Sequence, residues 1–200
     1  IARRTWRFFE MFVTAADNML PPDNFQEDPT AVVAHRTSPT NIGLLLLSTA
    51  AAREFGWIGT LEAVERLEAT LATVGRLKRF RGHFCNWYDT TDLRPLDPIY
   101  VSSVDSGNLA GHLIALVNTC AAWRHGPAGT TAIAVGVGDS LAHAREALQA
   151  LPDDRRTHLV PSQERVAALD DVAAALQRLP DGLGDLVAGA GKAADLARVL

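Results

Sequence analysis

The chain has 200 residues, 48% of them apolar, and a formal net charge of −4. This charge balance, without a long basic run, argues against nucleic-acid binding, because neutralising phosphates requires clustered Lys and Arg. Cys85 and Cys120 are too few for a disulfide scaffold and lack metal-type spacing with the histidines, so we predict a reducing compartment, no metal and no cofactor. No apolar run reaches the roughly 20 residues needed to cross a bilayer.

The first elements predicted are a short aromatic-rich helix at residues 5–13 and an ordered loop at 14–37. Ser38-Pro39 then begins a second helix at residues 40–55, with Ser as N-cap and Pro in the first turn. This helix is apolar on nearly every side, which is typical of a buried helix. Gly56 is suited to the left-handed residue that ends it.

Thr60 is predicted to cap the next helix, whose apolar residues recur at steps of three and four. These residues are Leu61, Val64, Leu67, Leu71, Val74 and Leu77. A buried helix followed by an amphipathic one indicates an inner and an outer helix of a layered array. Residues 84–89 and 98–102 are predicted to pair as short strands around Asp92. A third apolar helix is predicted from Gly107 to Trp123.

The composition changes at residues 124–129, and no aromatic residue follows Trp123. We predict a loop at 126–138 and helices at about 139–150, 162–178 and 184–199, forming an Ala-rich connector or insertion. The predicted divisions are therefore 1–37, 38–123 and 124–200. Because the sequence begins with Ile1 and stops at Leu200 inside a helical pattern, we expect a piece of a larger protein.

The most informative stretch is 89–108, which collects acids, hydroxyls and an amide beside the aromatic residues of 84–88. Polar side chains next to flat rings suit a sugar, whose hydroxyls accept and donate hydrogen bonds while its C–H face packs on an aromatic ring. From spacing alone, a polar surface hairpin without a ligand is the alternative interpretation.

Individual residues carry the same two interpretations. Asp105 either contacts sugar or caps the third helix. Trp87 and Tyr88 alternate on a strand, so only one ring can face a cleft. Arg36 either reaches a sugar or tethers the preceding loop. We include Ser103 and Asn108 as further substrate-binding candidates, whereas His112 fits a core position better than a catalytic one.

Four dispersed blocks resemble the central region of bacterial cyclic β-1,2-glucan synthases. The blocks are residues 35–43 (HRTSPTNIG), 55–60 (FGWIGT), 84–89 (FCNWYD) and 100–111 (YVSSVDSGNLAG). The resemblance covers residues 1 to about 123. It implies a very large inner-membrane protein in which one part extends β-1,2-glucan from UDP-glucose, a glycoamylase-like part closes it into a ring, and a phosphorylase-like part trims its length.

The resemblance further implies a mainly α fold: a partial (α/α)6-barrel-like helical array with a short β-hairpin, followed by additional helices. It implies β-1,2-glucan and the remaining synthase domains as partners, a location on the cytoplasmic side of the inner membrane, and contact with the membrane only through the parent protein.

A retaining transglycosylase needs two carboxyl groups about 5 Å apart. We expect these catalytic acids beyond Leu200, so the segment alone should be inactive. A non-catalytic helical scaffold, or part of a β-1,2-glucan hydrolase, remain the alternatives.

Overall fold

The computed structural model describes residues 1–126, 130–150 and 162–177. These residues contain six α-helices and three pairs of two-residue strands, so the mainly α prediction is confirmed. The chain separates into two compact units, one made of residues 1–53 and 58–127 and the other of 54–57 and 128–200. The helix predicted at 184–199 lies outside the described residues.

The first unit begins with helix α1, Ala2–Phe12, followed by a short 3₁₀ turn at Ala15–Asp17. Trp6 and Phe9 are the buried positions of α1. The loop that follows is ordered by strands β1 (Phe25–Gln26) and β2 (Val32–Val33), which pair antiparallel. The predicted aromatic helix is present but begins three residues earlier than expected, and of the apolar loop residues Leu20 is fully buried whereas Val32 is 50% exposed.

Three helices build the core of the first unit: α2 (Pro39–Glu54), α3 (Thr60–Arg76) and α4 (Ser103–Trp123). Their buried apolar side chains join those of the connecting segments in one cluster. The cluster comprises Leu20, Ile42, Leu46, Ala50, Leu67, Val74, Leu77, Cys85, Tyr88, Leu109 and Leu116. Gly56 adopts φ +71°, the left-handed conformation predicted after α2.

Helix α3 differs from its prediction in two respects. Its N-cap is Gly59, and the Thr60 hydroxyl instead accepts a hydrogen bond from Arg53 Nε (3.2 Å). The buried face is rotated, because Thr70 and Thr73 donate to the carbonyls of Met19 and Asn18 at 3.0 and 2.8 Å. Hydrogen bonds to the loop therefore bury two threonines, while Leu61 is left 72% exposed.

The strands pair differently from the sequence prediction. Strand β6 (Tyr88–Asp89) pairs antiparallel with β3 (Arg36–Thr37), and β4 (Arg79–Phe80) forms a hairpin with β5 (His83–Phe84). The chain does turn back around Asp92, since Asp89 N donates to Arg94 O at 2.9 Å. Residues 98–102 form no strand. This prediction was wrong because β6 takes its partner from a segment about 50 residues earlier.

The described helices of the second unit are α5 (Thr130–Ala150) and α6 (Ser162–Gln177). The loop predicted through Gly138 is wrong, because α5 already begins at Thr130. Gly136 lies so close to the backbone of Gly56 that an added Cβ would overlap the Gly56 carbonyl. Gly136 therefore permits close packing within a helix and does not mark a loop. Among the residues that the structure describes, no helix combines the length and the apolar composition that a membrane span requires.

Candidate carbohydrate-binding site

Asp105 lies in the first turn of α4, which begins four residues earlier than predicted. Ser102 is the N-cap, and its hydroxyl accepts a hydrogen bond from Asp105 N (3.1 Å). Capping is therefore supplied by Ser102, and the interpretation of Asp105 as the cap is wrong. The Asp105 carboxylate is left available for other partners.

Both carboxylate oxygens of Asp105 bind other segments. Thr40, in the first turn of α2, donates to Oδ1 at 2.6 Å. The Asn86 amide donates to Oδ2 at 2.8 Å. Both donors are uncharged side chains. Because a carboxylate has about four acceptor positions, Asp105 can hold these two donors and still accept a ligand hydroxyl.

Asn86 is the centre of this network and is only 5% exposed. In the amide orientation that satisfies every neighbour, its oxygen accepts from Trp87 Nε1 at 2.9 Å and from the Tyr100 hydroxyl at 2.8 Å. Its backbone N–H also donates to Tyr100 O at 2.8 Å. One buried amide thus fixes two aromatic side chains beside Asp105.

The Arg36 guanidinium lies over the Trp87 ring, 5.0 Å from the centroid. Its Nη2 donates to Asp23 Oδ2 at 2.9 Å, and Asn41 donates to the other Asp23 oxygen at 3.2 Å. Arg36 therefore does tether the preceding loop, and it covers one face of Trp87. The Arg36 side chain is still 50% exposed, so a ligand on this surface can reach it.

Tyr88 belongs to the core and not to this surface. Its side chain is fully buried, its hydroxyl donates to Lys78 O at 2.7 Å, and the same oxygen accepts from Cys85 N at 2.7 Å. Burial raises the pKa of the Tyr88 hydroxyl well above its usual value. Successive side chains of a strand point to opposite faces, and of Trp87 and Tyr88 it is Tyr88 that points into the core. We therefore leave Tyr88 out of the proposed site.

The remaining candidates lie at the edge of the network. Asn108 is exposed and donates to the Thr40 hydroxyl at 3.1 Å, one turn beyond Asp105. Ser103 is exposed in the first turn of α4. The structure therefore brings Arg36, Trp87, Asp105 and Asn108 to one network. Ser103 lies beside it in sequence.

Sequence reasoning missed Thr40, Asn86 and Tyr100 as members of the site. All three lie within the blocks that carried the resemblance. Thr40 lies in a helix that the sequence predicts to be buried. Asn86 directly precedes Trp87 and Tyr88, whose aromatic rings are the more obvious candidates for binding a sugar. A clue was available in Asn86 itself, because a buried amide usually has several hydrogen-bond partners.

Two neighbouring groups are structural. The buried Asp17 carboxylate accepts from Thr90 at 2.6 Å and contacts His35 Nδ1 at 2.7 Å. Hydrogen bonds from Thr91 hold the pKa of Asp89 below its ordinary value. Within the part of the chain that the structure describes, no cluster of three or more His, Cys, Asp or Glu side chains could hold a metal ion.

Fold and geometry together define a mainly helical chain in which polar and aromatic side chains form one hydrogen-bonded network at the start of α4. No protein-family profile matches the chain. It is 55% identical over 184 residues to the cyclic β-(1,2)-glucan synthase NdvB of Rhizobium meliloti (strain 1021). The alignment covers 89% of this chain but 6% of that relative. The resemblance inferred from the four blocks is confirmed, and the chain corresponds to a small segment of the relative.

Proposed function

We propose that this chain is a segment of a cyclic β-1,2-glucan synthase and contributes a glucan-binding surface to the transglycosylase part that closes the ring. The observation that carries the proposal is the network of Asp105, Asn86, Trp87 and Tyr100, found in a chain that is 55% identical to such a synthase. In this proposal residues 38–123 supply the first helices and the hairpin of an (α/α) barrel, and the catalytic acids belong to the rest of the synthase.

Within this proposal the side chains have different roles. The exposed groups, Asn108, Tyr100 and Ser103, donate and accept hydrogen bonds with glucose hydroxyls, and Trp87 offers apolar ring surface. Asp105 keeps the first turn of α2 and the segment around Asn86 next to α4 through its hydrogen bonds to Thr40 and Asn86. A remaining acceptor position of its carboxylate binds a sugar hydroxyl. The segment would act on the cytoplasmic side of the bacterial inner membrane, anchored there by other parts of the polypeptide.

The test uses the full-length synthase supplied with linear β-1,2-glucan, so that chain extension from UDP-glucose is bypassed. We expect Asn108→Ala to raise the glucan concentration for half-maximal ring formation about tenfold, roughly the effect of one lost hydrogen bond to a ligand. Gln26→Ala is the matched control, because Gln26 is also an exposed amide with a single weak hydrogen bond, to Thr30 O at 3.4 Å.

Asp105 is tested with two substitutions. Asp105→Asn preserves the shape and one acceptor, whereas Asp105→Ala removes both bonds to the network. We expect cyclisation to fall with both and further with alanine. Unaltered cyclisation and glucan affinity in both variants would remove Asp105 from the site. Shorter linear oligosaccharides as the products of the unmodified protein would show that it hydrolyses glucan and does not form rings.

A second candidate function is a non-catalytic helical scaffold. Two observations favour it: both Asp105 oxygens are engaged by protein donors, and Arg36 already lies over one face of Trp87. In that case Asn108→Ala would leave the glucan dependence unchanged, and Asp105→Ala would reduce thermal stability and activity in parallel.

A further inference from the structure

Helix α4 presents an unusual exposed face. Its 21 residues, Ser103–Trp123, include a single charged side chain, Asp105. Apolar residues occur all round its circumference, the pattern of a helix that is covered on every side. Yet Val104, Ile114 and Val117 are 70%, 66% and 68% exposed.

The exposed residues form one continuous face along the helix. Counted at 100° per residue, they fall within about half of its circumference. The face comprises Gly107, Ala110, Gly111, Ile114, Val117, Asn118 and Ala121, all of them exposed. It continues into the first turn through Ser103, Val104 and Asn108, where it borders the proposed glucan-binding surface. A Cβ built on Gly107 or Gly111 would meet nothing within 4 Å. We call this surface the open face of α4; its glycines permit another backbone to approach closely.

We propose that the open face of α4 is covered by an apolar helix of the same synthase polypeptide, from outside these 200 residues. The inference rests on the proposed function, since it requires that the chain be part of a larger synthase. The relative found by comparison extends far beyond the aligned segment, which is 6% of its length. Much more polypeptide is therefore available to cover the face than the chain itself contains.

The composition of α4 argues against a lipid surface as the occupant. A helix that lies in a membrane interface needs a polar face rich in Lys and Arg opposite its apolar face. Helix α4 contains no Lys or Arg, and its opposite side packs into the core through Leu109 and Leu116. An uncharged face with small residues instead complements another apolar helix.

The experiment places a photo-crosslinking phenylalanine derivative at Ile114, and separately at Val117, of the full-length synthase in its native membrane. We expect a crosslink to a helical peptide of the same polypeptide outside residues 1–200, identified by mass spectrometry. Leu61, 72% exposed on the amphipathic helix α3, is the matched control and should give no such crosslink. Crosslinks only to lipid, to a second copy or within this segment, or none at all, would overturn the proposal.

A second measurement does not depend on the crosslinker fitting the interface. Val117→Cys and Leu61→Cys are each introduced into the full-length synthase and treated with a water-soluble maleimide. We expect the cysteine at 117 to react at least tenfold more slowly than that at 61, and equal rates would contradict the proposal. Neither measurement involves glucan. A crosslink combined with unchanged cyclisation in the Asn108→Ala variant would therefore reject the proposed function alone.

Discussion

Gly43→Ala gives the sharpest test of the packing between α2 and α4. Gly43 is buried in α2, and a Cβ at this position would overlap the Nδ1 atom and the ring of His112 on α4. Alanine in a helix interior gains about 1 kcal/mol over glycine through propensity. Overpacking a core costs about 1–3 kcal/mol. The difference is a net loss of up to about 2 kcal/mol, and we expect a value near the upper end because the overlap is with a ring and not with the far end of a flexible chain.

The assay is urea unfolding of the 200-residue chain, followed by near-ultraviolet circular dichroism. Gly75→Ala is the matched control: Gly75 lies in α3, and an added Cβ there meets nothing within 4 Å. It should be neutral or up to about 1 kcal/mol more stable. Adding His112→Ala to the Gly43→Ala chain should recover part of the loss, giving a coupling of about 1 kcal/mol. If Gly43→Ala stabilised the chain as Gly75→Ala does, the described α2–α4 contact would be refuted.

Three further predictions follow from buried or bonded polar groups. Tyr88→Phe should cost about 1–3 kcal/mol by leaving Lys78 O and Cys85 N without their partner, measured by the same unfolding assay, and a neutral result would contradict the burial described. Folding raises the pKa of Tyr88 above the unfolded value of about 10, so the free energy of unfolding should decrease as the pH rises above that value. In urea midpoints measured over a pH series, the Tyr88→Phe variant should show a smaller decrease at alkaline pH than the unmodified chain. Thr91→Val should move the pKa of Asp89 upward towards its ordinary value in an NMR titration, since Thr91 is the main cause of its depression; an unchanged titration would assign that depression elsewhere.

The helices of the first unit could be predicted largely from local sequence. Their apolar periodicity, the Ser38-Pro39 start and the left-handed Gly56 are signals contained within a few residues. The predicted start of α4 at Gly107 is four residues too late, because the helix is capped by Ser102. Ser102 followed three residues later by Asp105 resembles a capping box, and that spacing would have placed the start correctly.

Long-range features could not be predicted in the same way. Strands β3 and β6 are two residues each and come from segments about 50 residues apart, so no local pattern reveals their pairing. The face of α3 that is buried depends on the carbonyls of Asn18 and Met19, which become acceptors only once the loop is folded. The surface around Asp105 was located by residue type, but its centre, Asn86, was missed because its role depends on three partners brought together by folding.

The position of Asn86 has a mechanical consequence for the segment. A single planar amide bonds Trp87, Tyr100 and Asp105 at once, and rotation about its side-chain bonds would move all three hydrogen bonds together. A sugar ring that displaced either aromatic group would thus alter the bond received by the carboxylate on the far side of the amide. The hydrogen bond that Asp105 receives in the first turn of α4 would in this way depend on the position of the two aromatic side chains.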